Sequence, residues 1–254
     1  MRQRLEGINE KIYDFSLYIV MIFCLSFLFV LYALQAISTG MGWYLPVLFG
    51  LILGISLVFF LRYIYKLFQK RNDTLLGLEA ELAVGQELNQ LMLHGYRVYH
   101  DFSFDEYNID HIVVGPNGVF AIETKGKAKP DTGGGSKDAT IIYNGKVLEF
   151  PDGFQTGEPL AQAKRQASSL SKWLSSAIGE TITVKPALAY PGWFIKQTTP
   201  DVFLFLYGKA QHYQRALRMN EKINPATIQR IEHQLEQKCR NVKPIAYHQR
   251  KKWT

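Results

Sequence analysis

The chain has 254 residues, with 29 lysines and arginines against 22 aspartates and glutamates, for a formal charge of +7. Apolar residues make up 47%, too many for a disordered chain and enough for a packed core, and the length allows one large domain or two small ones. Two cysteines, Cys24 and Cys239, exclude a disulfide framework or a cysteine-rich zinc site and fit a reducing compartment.

The apolar residues are unevenly placed. No Asp, Glu, Lys, Arg or His occurs from Phe15 to Leu61, which excludes a simple soluble enzyme. A bilayer core takes about 20 apolar residues in a helix, so residues 15–37 and 43–61 each supply one span, joined by the uncharged turn Ser38-Thr39-Gly40-Met41-Gly42. Trp43 and Tyr44 suit a membrane–water interface, and Pro46 falls in the first turn of the second helix, where its missing N–H costs least. A secretory signal peptide would be shorter and would not be followed by a second span. Arg2, Arg4 and Lys11 precede the hairpin, and Arg62, Lys66, Lys70 and Arg71 follow it. The positive-inside rule then places both termini in the cytoplasm of a two-span protein, with a bacterial inner membrane as the expected location. No intramembrane charge marks a transport pathway.

After the hairpin comes a linker over 62–73. A helix capped by Asp73 or Thr74 is predicted to run through Met92 and end at Gly95. Residues 96–102 read as a strand, and 108–114 with 119–125 as a hairpin around Gly115-Pro116-Asn117-Gly118. Both faces of that hairpin are largely apolar, as in strands covered on both sides. A polar, glycine-rich stretch follows, holding a small hairpin at Asn144-Gly145. Then come a helix over 159–178, strands at 181–190 and 202–207, and a last helix over 225–239. The predicted fold is α/β, a mixed sheet flanked by helices. From Lys238 onward Lys238, Arg240, Lys243, Arg250, Lys251 and Lys252 stand without an acid, a tail able to attract nucleic-acid phosphates or anionic headgroups, or simply a solvated terminus.

Asp110, Glu123 and Lys125 are conspicuous because ionised side chains in apolar strands are expensive unless paired or metal-bound. Two carboxylates suit a hard divalent cation, and a lysine beside them can orient water or stabilise charge developing on a phosphate. A two- or four-residue loop sets Asp110 opposite Glu123, with Cβ atoms about 4.5–5.5 Å apart. Pro116-Asn117-Gly118 locally favours a three-residue loop with a glycine bulge, which slips the register by one and separates the carboxylates. His111 lies on the other strand face, as a core or hydrogen-bonded imidazole.

The run from Ile109 to Lys125 resembles the core of the nuclease-related domain, NERD, of the PD-(D/E)XK nuclease superfamily: an aspartate, an apolar hairpin with a glycine turn, then Glu-x-Lys. Ala80-Glu81-Leu82-Ala83-Val84 resembles the family's Gly-Glu-x-x-Val with alanine for glycine, and Pro159-Leu160-Ala161-Gln162 resembles its Pro-x-x-Gln. The resemblance covers roughly residues 75–190. It implies a restriction-endonuclease-like core over 74–192, followed by a C-terminal extension over 193–254. It also implies that Asp110 and Glu123 ligate Mg²⁺, or Mn²⁺, and that Lys125 serves the water or the scissile phosphate. Glu81 is then a further ligand or orienting base, and Gln162, or Gln166 one turn on, positions a nucleotide or the lysine. The implied activity is a membrane-anchored nuclease acting on DNA rather than RNA. The alternative is an inactive nuclease-like module that binds nucleic acid or a protein at the membrane face.

Overall fold

In the computed structural model of the protein, which describes residues 2–39, 44–104, 107–130, 134–199, 203–218 and 222–240, the uncharged N-terminal run is helical. The chain divides into two compact units, Met1–Leu78 and Glu79–Thr254. In the first, helix α1 (Arg2–Ser38) lies beside the start of α2 (Tyr44–Asn89). Arg71 Nε donates to Asn9 Oδ1 at 3.0 Å, the Phe15 ring lies 4.8 Å from that of Tyr63, and Phe29 faces Gly50. One residue number rises as its partner's falls, so the helices run antiparallel. Many of their apolar side chains, among them Phe27, Leu28, Leu48 and Leu51, point outward. Both helices are long and apolar enough to cross a membrane. The turn residues 40–42, Trp43 and the basic tail beyond Arg240 lie outside the described residues.

The boundary expected at Asp73 or Thr74 does not exist as a helix start, and 62–73 is helical. Thr74 Oγ1 donates back to Lys70 O at 2.7 Å, the bond of a mid-helix threonine and not of a cap. The helical run does stop at Gly95, whose φ of +80° closes a single 3₁₀ turn.

The second unit is built on a five-stranded sheet in the order β1 (Arg97–Ser103), β2 (Asn108–Gly115), β3 (Gly118–Thr124), β7 (Val184–Ala189), β9 (Leu204–Leu206). The first three strands are antiparallel, and β3, β7 and β9 are parallel. A smaller mixed sheet holds β4 (Thr140–Tyr143), β5 (Leu148–Glu149), β6 (Gln155–Thr156) and β8 (Phe194–Gln197). Helix α3 (Glu158–Ile178) starts with Pro159 and ends at Gly179, with φ +79°. Its residues Leu160, Ala163, Ala167, Leu170 and Leu174 recur every three or four positions and are buried. Ala167, Leu170 and Leu174 pack with Ile112, Val114 and Ala121 on one face of the large sheet, along with Ile231 and Leu235 of α5 (Pro225–Arg240). On the other face Val84 and Leu88 of α2, with Tyr213 and Leu217 of α4 (Ala210–Arg218), cover Val113, Phe120 and Ile122.

The β2–β3 turn is where local preference and fold disagree. Gly115 pairs with Gly118 and Val114 with Val119, so the connection is the two residues Pro116 and Asn117, not a three-residue bulged loop. Tertiary contacts fix it. Tyr96 OH donates to Asn117 Oδ1 at 2.9 Å, Asn117 Nδ2 donates to Arg218 O at 3.3 Å, and Ile223 N donates to Pro116 O at 3.0 Å. Gly118 takes a φ of +135°, which suits glycine. A Cβ on Gly115 would overlap the Tyr96 ring. Gly115→Ala is therefore expected to destabilise the protein by about 1–3 kcal/mol, read as a lowered urea midpoint with an unchanged slope.

Candidate active site

Extending the observed register by one residue beyond His111–Ile122 sets Asp110 opposite Glu123, on the sheet face that α3 covers. Asp110 Oδ2 accepts a hydrogen bond from the Thr124 backbone N–H at 2.7 Å, which ties its side chain across to β3. Burial and the neighbouring Glu123 carboxylate push the Asp110 carboxyl up to about 8, against the Thr124 hydrogen bond and Lys125, which pull it down.

Glu123 is 3% exposed, and each of its oxygens has a partner. Oε1 meets Lys125 Nζ at 2.8 Å, and Oε2 accepts from Gln166 Nε2 at 2.6 Å. Residues two apart in extended backbone share a face, and Lys125, just past the end of β3, keeps the pairing through its N–H to Ala189 O at 2.9 Å, so Glu123 and Lys125 are presented together. Gln162 Oε1 accepts from Lys125 Nζ at 2.9 Å, and Gln166 Nε2 donates a second hydrogen bond to Asn108 O at 3.1 Å. Two acceptors on one amide nitrogen fix that side chain's orientation and turn its Oε1 elsewhere. Gln162 and Gln166 are one helical turn apart on α3; the first holds the lysine and the second the carboxylate. Glu123 is the buried partner of the ion pair, and Lys125 keeps part of its side chain exposed.

Glu81 comes from α2, the helix on the other face of the sheet. Among the described residues it makes no hydrogen bond to the group, but it lies within the field of Asp110, Glu123 and Lys125. Burial raises its carboxyl above the usual range, and Asp101 and Glu123 add to the rise. Asp101, unremarkable in the sequence, falls between the pairs His100–His111 and Phe102–Ile109, opposite Asp110. Its φ of +49° makes it the non-glycine residue with left-handed backbone among the described residues, a conformation aspartate tolerates better than most. His111 points away from the carboxylates. Its Nδ1 shares a hydrogen bond of 2.8 Å with His100 Nδ1, and burial, then the neighbouring imidazole, lowers it to about 3. That packing explains Gly85, whose added Cβ would meet both rings.

Four side chains from the end of β3 and from α3, those of Glu123, Lys125, Gln162 and Gln166, are thus joined in one network, with Asp110 of β2 bound to the adjoining backbone. Among the described residues no three His, Cys, Asp or Glu side chains form a metal-binding group. Mg²⁺ does not require one, since it keeps several waters and is commonly held by one or two carboxylates and a substrate phosphate. Two acids crowded in a buried setting fit a divalent cation as a third party. Gln166 Oε1, buried and without a hydrogen-bond partner among the described residues, fits a bound water or ligand there.

Sequence comparison agrees with this architecture. No curated protein and no solved structure matches the chain. The nuclease-related domain family matches residues 76–191, a span that includes Glu81, Asp110, Glu123, Lys125, Gln162 and Gln166. The protein therefore carries a nuclease-related domain, NERD, over residues 76–191.

Proposed function

We propose that the protein is a membrane-anchored, metal-dependent nuclease that hydrolyses phosphodiester bonds in DNA. The observation that carries the reading is the convergence of Glu123, Lys125 and Gln162 beside Asp110, with Lys125 Nζ held at 2.8 Å from a carboxylate and 2.9 Å from an amide oxygen. Asp110 and Glu123 would hold Mg²⁺ or Mn²⁺, which when bound supplies charge for the phosphate and an acidified water. Lys125, positioned by Gln162, places its ammonium against the charge that develops on the phosphate oxygens. Gln166 keeps Glu123 turned into the site, and Glu81 stands at the side as an orienting base. Helices α1 and α2 supply the anchor, and the basic flanks favour a cytoplasmic catalytic unit.

The test uses the full-length chain in detergent with labelled DNA and RNA. Cutting of DNA with Mg²⁺ or Mn²⁺, abolished by EDTA, is expected. Lys125→Ala is expected to lower kcat about 10²–10³-fold while circular dichroism confirms the fold. A wild-type chain that binds DNA and stays inert with both metals is a binding module and not a nuclease.

A further inference from the structure

Beyond the reacting groups, α3 carries a second, outward stripe. Gln162, Arg165, Ser169 and Lys172 follow one another at three, four and three residues, the spacing that keeps side chains on one strip of a helix. The buried stripe of the same helix fixes its orientation, so this strip is turned from the core. It runs about 15 Å at 1.5 Å per residue, roughly four nucleotides of one strand at about 3.4 Å each. A groove of about 700 Å³ follows it, walled by these four residues with Tyr107 and Gln166 among others, and none of its described wall residues is acidic.

We propose that this groove is a substrate track in which Arg165, Ser169 and Lys172 hold the phosphodiester backbone of a polynucleotide leading to Lys125 and Glu123. The inference rests on the nuclease reading for its direction, and on three further observations for its ligand. The groove is continuous with the site, because Gln162 bonds Lys125 and Gln166 bonds Glu123. Its floor is unsatisfied: Gln166, 2% exposed, leaves Oε1 unpaired, and Tyr107 leaves its buried hydroxyl unpaired, among the described residues. A buried polar atom without a partner costs about 1–3 kcal/mol, so both atoms call for a polar ligand. Gln166 Oε1 accepts only, and a phosphodiester has no proton to give it; a base amino group does, as does a bound water. The third observation is availability. Among the described residues Arg165 is held by Glu158 alone, at 3.4 Å, both more than half exposed, a contact weak enough for a phosphate to replace.

The experiment needs no cleavage. Full-length protein in detergent and EDTA is titrated with a fluorescent 30-nucleotide single-stranded DNA, and anisotropy is followed against salt. The double variant Arg165→Ala/Lys172→Ala is expected to bind about tenfold more weakly at 150 mM salt. Its log–log salt slope should be shallower by about 1.5, as two lost phosphate contacts require. Lys146→Ala/Lys196→Ala, two exposed lysines outside the groove, is expected to bind like wild type. Unchanged affinity and slope in the Arg165/Lys172 variant overturn the track, and loss of binding to phosphatidylserine vesicles by that variant instead would assign the stripe to lipid. If the wild type never cuts DNA but the variant loses it, the nuclease reading falls and the track stands. If both proteins bind and cut alike, the nuclease stands and the track falls.

Discussion

Asp110→Asn is expected to lower phosphodiester hydrolysis by about 10²–10³-fold or more and, in the same protein, to raise thermal stability at alkaline pH. The substitution is nearly isosteric, and the asparagine oxygen still accepts from the Thr124 N–H that now bonds Oδ2 at 2.7 Å. What changes is charge. In the folded protein, burial and Glu123 raise the Asp110 carboxyl from 3.8 to about 8. Between those two values the folded chain holds a proton that the unfolded chain has lost. Stability from this group is complete below about pH 4, falls as pH rises, and is gone above about pH 8. Asparagine removes that loss, a gain on the order of 2–4 kcal/mol at pH 8 to 9 and close to none at pH 4. Thermal melts of both proteins in EDTA at several pH values measure it. A variant less stable than wild type at pH 9 would mean that the Asp110 carboxylate carries no burial penalty in the fold, and is no longer a group in need of a cation.

The same linkage gives a sign to metal binding. A cation takes the ionised form of Asp110, so loading releases a proton, and affinity should strengthen as pH approaches 8. Divalent stabilisation of the wild type should therefore grow with pH, while Asp110→Asn shows little of it. Residual response in the variant would trace to Glu123 alone, whose two oxygens are already engaged by Lys125 and Gln166.

Much of this arrangement was legible in the residues themselves. Ionised side chains in strands buried on both faces have few explanations, and Asp110, Glu123 and Lys125 stood out for that reason. The helix pattern of α3 was equally plain, since its stripe at three- and four-residue spacing needs no tertiary context. The register of the β2–β3 hairpin was not legible. Pro116-Asn117-Gly118 reads locally as a bulged turn, and the opposing information lies in Tyr96, Arg218 and Ile223, far away in sequence. The start of the second helical element was misplaced because Asp73 and Thr74 are good caps only where a helix begins. Inside α2, Thr74 spends its hydroxyl on Lys70 O. The Pro-x-x-Gln pattern points to one glutamine, Gln162, and gives Gln166 no mark of its own. The geometry uses both, one for the lysine and one for the acid.

A chain that stops after Pro191, where the family match ends, is expected not to fold its second unit. Residues 193–254 read as an extension because the family resemblance stops near residue 190; the strand at 202–207 and the helix over 225–239 are legible in the sequence, whereas the short β8 and the mostly polar α4 are not. In the structure they complete both sheets. Strand β9 pairs with β7 through Ala187–Leu204 and Ala189–Leu206, and β8 pairs with β4. Phe203, Phe205, Leu206, Tyr213, Leu217, Ile231 and Leu235 are all buried, and at about 1.5–3 kcal/mol each their combined burial is as large as the about 5–15 kcal/mol by which a domain is usually stable. Trp193 Nε1 also donates to Lys127 O at 3.0 Å, bracing the chain just past Lys125. The truncated protein should be cut rapidly by a dilute protease throughout 97–190 and show no cooperative melt, where the full chain resists. Leu235→Ala gives a graded version: it opens a cavity against the core that includes Ile112 and Ala121 and should cost about 2–5 kcal/mol. A truncated chain that melts cooperatively and keeps its protease resistance would show that the sheet closes without β9, and that α5 is an addition to the domain and not part of its core.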